Sequence, residues 1–476
     1  MHLQKFNWSD FIRRIAAIAI PVALQNLLTT TGSMVDTMMI GALGQLNIAA
    51  VGLCAQFTSL MFSCYWGFVG GGTLFFTQYF GAKDDKGINR SYGITLSCMM
   101  AVGLIFACLA VFAPSAVMRL YTDKPDIQRI GIQYLRIVGF AYPLQVYSMC
   151  MSTLLRTTGR VRIPLYGSVC SVVTNVGMNW ILINGKFGLP AMGVRGAALA
   201  TVLSALVNAV VVFVLALCSG HSYLTAIRAH FRWTKEALTL YIRKCAPILA
   251  NELLIGVGNM VINIVLGRQS ENAIAATAVF RTFEGCIIGF FAGFSGAASI
   301  LVGTEVGAGH LELAYQRAKR IVYLCAGCIL GVGLIVLALH RPLLTLMNLS
   351  GEAYEICYRM LLIYCAAAVI RMSNWTQNDT YRASGDAAYG TILEIVFMYV
   401  MLLPGVLLTG FVFRSPFLVV FACCYSDEII RFILMQRHMY SGRWVKPVTP
   451  EGKAALTEFR QRHDRKFRAL NPDSAP

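Results

Sequence analysis

Residues 21–41 read "PVALQNLLTTTGSMVDTMMIG" and residues 247–267 read "PILANELLIGVGNMVINIVLG". Pro21 matches Pro247, Gly32 matches Gly258, Met34-Val35 matches Met260-Val261, and Gly41 matches Gly267, all at an offset of 226 residues. The register continues without a gap. Ile48-Ala49-Ala50 matches Ile274-Ala275-Ala276, Phe57 matches Phe283, and Gly67-Phe68 matches Gly293-Phe294. Further on, Gly81-Ala82 matches Gly307-Ala308, Arg156 matches Arg382, and Gly159 matches Gly385. Chance likeness between apolar helices would not keep one register over so long a stretch. The chain is an internal duplication.

Each copy is built from apolar runs. Of 476 residues, 57% are apolar and 13% charged, with a mean hydropathy of +0.62; a soluble chain carries about 25% charged residues. Runs long enough to cross a bilayer, about 20 residues, are expected at 14–40, 48–76, 91–118, 130–155, 162–184, 193–217, 242–267, 274–302, 318–345, 354–380, 387–411 and 415–438. The fold class is therefore an all-α integral membrane protein with twelve transmembrane helices in two six-helix repeats. Because six is even, the repeats share orientation and are related by an axis along the membrane normal, with a cleft for alternating access between them. The expected domains are a lobe at 1–217, a basic linker at 218–241, a second lobe at 242–438 and a basic tail at 439–476.

The net charge of +17 follows topology and not nucleic acid. The N-terminus, the even-numbered loops with their span ends, and the tail hold 27 of the 40 Lys and Arg, against 8 in the odd-numbered loops. This bias places both termini in the cytoplasm of a multi-pass cell-membrane protein. The 15 cysteines lie mostly in apolar spans without His or carboxylate at ligand spacing, so no metal site is expected.

Polar groups inside the spans mark the candidate site, because an ionised side chain in hydrocarbon costs about 2.5–3.5 kcal/mol on insertion scales. Gln25, Thr29, Gly32 and Asp36 fall on one helix face, at i, i+4, i+7 and i+11. Glu252, Gly256, Asn259 and Asn263 repeat that spacing in the seventh span. Asn175 and Asn179 stand one turn apart in the fifth, and Asp379 lies near the end of the tenth. The duplication does not copy the acids: Asp36 corresponds to Ile262, Glu252 to Asn26 and Asp379 to Thr153. Specialised lobes point to function. Arg281 with Glu284 and Asp427 with Arg431 are spaced to pair along their helices, as structural ion pairs or as groups that meet a substrate. The tail stretch "EGKAALTEFRQRHDRKFRAL", opened by Thr449 and Pro450, is expected to form a helix along anionic headgroups or against a lobe.

"MVDTMMIG", "IAAVGL", "FGAKD", "LLRTTGR", "VTNVGMNWILI" and "GVRGAALATVLS" together resemble the multidrug and toxic compound extrusion (MATE) family, and "GRWVKPVTPEG" resembles a bacterial branch of it. The resemblance implies a V-shaped pair of six-helix lobes: a multidrug efflux antiporter, hence a drug-resistance protein and not an enzyme. It would exchange cationic or amphipathic compounds for H⁺ or Na⁺, with no other cofactor, and work as a monomer. Carried over by position, Asp36 resembles the first-helix carboxylate that binds the coupling ion with Asn175, Asn179 and Thr201. Glu252 and Asp379 resemble second-lobe carboxylates associated with cation binding. Where many members carry a second aspartate, this chain has Asn179. One carboxylate among neutral ligands favours H⁺, because a carboxylate withdrawn from water binds a proton more readily. Any Na⁺ site is then expected near Glu252 and Asp379.

A lipid- or oligosaccharide-carrier flippase of the same superfamily is the nearest alternative; it calls for a strongly basic cavity, and intramembrane arginines are few here. A membrane-embedded enzyme would need histidine or a metal motif at depth, and the seven histidines lie in loops or at span ends.

Overall fold

The computed structural model describes residues 7–220, 231–347 and 351–463. Parts of the expected linker (221–230) and tail (464–476) lie outside the described residues. Among the described residues the chain is helical, with no strand. The first repeat comprises α1 (Trp8–Gly41), α2 (Gln45–Gly81), α3 (Asp85–Phe112), α4 (Pro114–Tyr121), α5 (Pro125–Val138), α6 (Ala141–Thr157), α7 (Arg162–Asn184) and α8 (Val194–Cys218). The second comprises α9 (Lys235–Leu266), α10 (Glu271–Gly307), α11 (Leu311–Ala338), α12 (His340–Leu346), α13 (Gly351–Ala383), α14 (Ala387–Val412), α15 (Phe417–Cys423) and α16 (Glu428–Ser441). The tail helix α17 spans Pro450–His463.

Ten of these helices are long and apolar enough to cross a membrane unbroken. Two expected spans are instead broken, and with them the count is twelve. The span expected at 130–155 divides into α5 and α6 at Gly139, where a side chain would press on Ala110 and Val111 of α3. The span expected at 415–438 divides into α15 and α16, which leaves Asp427 and Glu428 at the start of α16, where negative charge suits the free N–H groups. Two further spans end early. Pro114 opens α4 and cannot continue the ladder of α3, and the span expected at 318–345 divides between α11 and α12. Pro404 has no N–H to give, and α14 widens into π turns at Met398–Leu402 and Leu408–Val412 on either side of it.

The chain forms two compact units. One comprises Pro21–Phe76 and Asp84–Arg243, the other Met1–Ile20, Thr77–Lys83 and Lys244–Pro476. In the first, Met61, Leu74, Tyr142, Val146 and Leu154 are buried, and the hydroxyls of Thr58 and Tyr142 pair at 3.0 Å. In the second, Phe280, Phe291, Tyr364 and Phe421 form one core, and Val302, Tyr381, Met435 and Trp444 another. The duplicated glycines meet here. A side chain on Gly81 would strike the Thr304 carbonyl, and one on Gly307 would strike the Gln78 carbonyl, so the ends of α2 and α10 cross backbone to backbone.

The tail is built into the second unit. Trp444, Val445 and Thr449 are fully buried. Lys446 N–H donates to the Ser384 carbonyl (2.9 Å) and Val448 N–H to Gln78 Oε1 (2.8 Å), while Gln78 Nε2 donates to the Ala383 carbonyl (2.9 Å). Thr449 Oγ1 donates to the Gly307 carbonyl (2.8 Å) and accepts the Gly452 N–H (3.3 Å), capping α17. Of the two placements expected for this helix, docking against protein is the one observed: Phe459 is buried and His463 meets Glu312 at 2.7 Å.

Candidate functional site

In the first unit the polar stripe of α1 faces a matching stripe of α7. Gln25 Nε2 donates to Ser168 Oγ at 2.8 Å, Gly32 lies against Val172, and Asn179 Nδ2 donates to Asp36 Oδ1 at 2.6 Å. Ser168, Val172, Asn175 and Asn179 carry the i, i+4, i+7, i+11 spacing of Gln25, Thr29, Gly32 and Asp36, so two helical faces match turn by turn. Asn179 also donates to Asn175 Oδ1 at 3.2 Å, is itself fully buried, and leaves its Oδ1 without a partner. Asp36 makes no ion pair with any described residue; Asn179 is its hydrogen-bond partner.

Thr201 is placed beside this contact and not in it. Its hydroxyl donates to the Ala197 carbonyl at 3.1 Å. The buried Tyr134 of α5 stands near both Thr201 and Asp36. Sequence reading passed over Tyr134, which sits at a buried position of the amphipathic α5. One turn-pair away, Arg156 Nη2 donates to Gln25 Oε1 at 2.6 Å.

The second unit keeps this arrangement and charges it. Asn251 and Glu394 stand 226 residues beyond Gln25 and Ser168, and Asn251 Nδ2 donates to Glu394 Oε2 at 3.0 Å. Arg382, the counterpart of Arg156, lies 3.5 Å from Glu252, 3.5 Å from Asp379 and 3.9 Å from Glu394. Glu252, without a cation near it in sequence, therefore gains one from α13. Asp379 also accepts the hydroxyl hydrogen of Ser295, and Asn378 Nδ2 donates to Glu394 at 3.0 Å. Glu252 and Asp379 share the Arg382 guanidinium, which Glu394 also approaches, so negative charge gathers here that protons or a bound cation would offset.

Both expected ion pairs form: Arg281 Nη1 with Glu284 Oε2 at 2.7 Å, and Arg431 Nη1 with Asp427 Oδ2 at 3.2 Å. They belong to a larger cluster. Arg371 holds Glu284 (2.9 Å) and approaches Glu428 (3.9 Å), Arg431 holds Glu428 (2.8 Å), and Asn374 donates to Glu428 Oε2 (2.7 Å). Arg431 lies 3.9 Å from Glu394 and so joins this cluster to the Arg382 group. No group of His, Cys, Asp and Glu able to hold a metal ion occurs among the described residues.

Two repeats of membrane-crossing helices, with partly buried carboxylates along the helices of each, are the construction of a secondary transporter. The MatE family model matches residues 21–181 and again 247–408, opening at the two prolines of the duplication. The chain belongs to the MatE family, a family of transporters and not of enzymes. It is 26% identical over 397 residues to a probable multidrug resistance protein, YoeA, of Bacillus subtilis, covering 82% of this chain and 85% of the relative. With the probable multidrug resistance protein NorM of Thermotoga maritima it is 22% identical, over 96% and 97% of the two chains. Its fold is that of the Vibrio cholerae MATE transporter VcmN in the bent form, with a TM-score of 0.80 at 17% identity over 96% and 99% of the chains.

Proposed function

We propose that this protein is a multidrug exporter of the cell membrane that moves cationic or amphipathic compounds outward in exchange for H⁺, with Asp36 as the group that carries the proton. The observation behind this reading is the Asp36–Asn179 contact: one half-buried carboxylate held at 2.6 Å by a fully buried amide, with no cation paired to it among the described residues. Protonation makes such a site neutral. A sodium ion there would need several oxygens and more negative charge to offset its lost hydration. Asn175 and Asn179 add neutral oxygens only, and Thr201 stands beside the contact. Names of relatives support the export reading: besides the two above, the chain is 25% identical over 285 residues to the multidrug export protein MepA of Staphylococcus saprophyticus.

Glu252, Asp379 and Glu394 around Arg382 form the second place where a proton, or Na⁺, would bind. Exchange requires only that ion and cargo stabilise opposite conformations. We further assign both termini to the cytoplasm, a monomer as the working unit, no cofactor beyond the coupling ion, and lobes at 1–217 and 242–438 joined by 218–241. Drug-susceptibility profiling of a bacterial host stripped of its own pumps tests the reading. Expression should raise resistance to ethidium and to cationic antiseptics, and the Asp36→Asn variant should not. An unchanged profile with well-inserted protein would contradict it.

A further inference from the structure

Two guanidinium groups in the second unit lie over a bed of buried carboxylates. The side chains of Glu284, Glu428 and Asp427 are 4%, 7% and 2% exposed, whereas those of Arg281 and Arg371 are 45% and 31% exposed. With Arg431, the three cations and three anions cancel. The cluster is neutral as a whole, yet the surface it presents is cationic. A purely structural cluster would bury its cations with its anions, as it does with Arg431 at 11% exposure.

Depth adds to the argument. Arg281 stands ten residues from the N-terminal end of α10, and Arg371 twelve from the C-terminal end of α13. At 1.5 Å per residue these are about 15 and 18 Å along helices that cross the bilayer. A guanidinium left partly exposed along a membrane-crossing helix is favoured where it faces water and not hydrocarbon. Donors are also left over. Arg281 commits Nη1 to Glu284 and Nη2 to Asn263 Oδ1 (3.1 Å), and Arg371 commits Nη1 to Glu284. A guanidinium has five N–H donors, so each keeps some for a ligand. Glu284 fixes both planes at once, and preorganised guanidinium forks suit a carboxylate.

We propose that Arg281 and Arg371 form a carboxylate subsite, which binds the acid group of a zwitterionic or anionic amphipath. Calling that amphipath cargo rests on the export reading; binding does not. The carboxylates below orient the arginines, and the ligand's carboxylate takes the exposed edge. An ester of the same molecule forfeits these bonds.

The test uses the full chain in lipid nanodiscs with two dyes: rhodamine B, which carries a free carboxylate, and its ethyl ester. Fluorescence polarisation gives both affinities, and their ratio is read. Wild type should favour rhodamine B by about tenfold, the scale of one charge-assisted hydrogen bond. Arg281→Gln should bring the ratio near one, with Arg281→Lys between, because lysine keeps the charge and loses the fork. Glu284 retains Arg371 in both variants. Should neither variant fold, competition on the wild type decides: benzoate should displace rhodamine B where benzamide does not. A wild-type ratio at or below one, an unchanged ratio in Arg281→Gln, or equal displacement by benzamide overturns the subsite. Loading the same dyes into proteoliposomes separates the two readings. Binding with the expected ratio but no export of either dye would sink the export reading and leave the subsite standing.

Discussion

Asn179 donates to Asp36 at 2.6 Å from a fully buried side chain whose own carbonyl oxygen has no partner. The contact is poised. The amide holds Asp36 through one donor, and its own buried oxygen keeps its capacity to accept a hydrogen.

Asp36→Asn should therefore leave the protein folded. The amide is near-isosteric, carries no charge to bury, and offers a donor in the orphaned region. Size-exclusion profile and helical circular dichroism should match the wild type, with a stability change within about 1 kcal/mol. Coupled ethidium export should fall to the level of empty vesicles. Export at the wild-type rate would remove Asp36 from the coupling step.

Arg382 sits among Glu252, Asp379 and Glu394, and its loss would leave Glu252 and Asp379 without their guanidinium and Glu394 with Arg431 alone among the cations. Arg382→Gln should destabilise by about 3–5 kcal/mol, visible as a lower thermal midpoint in detergent. Adding Glu394→Gln should recover part of that loss, since one fewer charge then needs compensation. A double-mutant cycle with no coupling beyond about 0.5 kcal/mol would mean that Arg382 and Glu394 act independently.

Trp444 is the largest side chain buried by the tail. Trp444→Ala should cost about 3–5 kcal/mol, with poor recovery of intact protein. A variant as stable as wild type would show the tail to be a loose appendage.

Between α13 and α14, outside the membrane-crossing segments, burial works against the charged form of Asp386. Hydrogen bonds from His438 (2.9 Å) and Lys446 (2.8 Å) outweigh that effect and hold its carboxyl below the usual value. Because the folded value lies below the unfolded one of about 3.9, the contribution is complete above that pH. It is lost as pH falls through the folded value. Asp386→Asn should be less stable than wild type by about 1–3 kcal/mol at neutral pH, and the gap should close in acid. Thermal melts across pH 3–7 check this (a range set by the carboxylate values). A gap that widens in acid would refute the assignment.

The sequence carried the fold through one device, the 226-residue offset, which survives because apolar spans and glycine crossings such as Gly81 with Gly307 must recur in both halves. The breaks at Gly139 and before Asp427 were not legible from hydropathy, because apolar residues lie on both sides of each. Asp36, Asn175 and Asn179 could be named because each occupies an apolar span alone or at helical spacing. Asn251 was passed over, and Glu394 and Arg371 stood without a role, since their partners lie on other helices and a single polar residue gives no periodic signal. One clue was available. Gln25 with Ser168 and Asn251 with Glu394 are the same pair of positions in the two repeats, so extending the offset past Gly385 would have set Glu394 at the position of Ser168.

The central claim is that a single carboxylate opposite Asn179 makes H⁺ the coupling ion. Proteoliposomes with separately imposed H⁺ and Na⁺ gradients test it most directly. Wild-type protein should export ethidium on a pH gradient without added Na⁺, and Asn179→Asp, which sets a second carboxylate against Asp36, should shift export toward Na⁺ dependence. Strict Na⁺ dependence of the wild type, abolished by Asp36→Asn but retained in Glu252→Gln, would contradict the account.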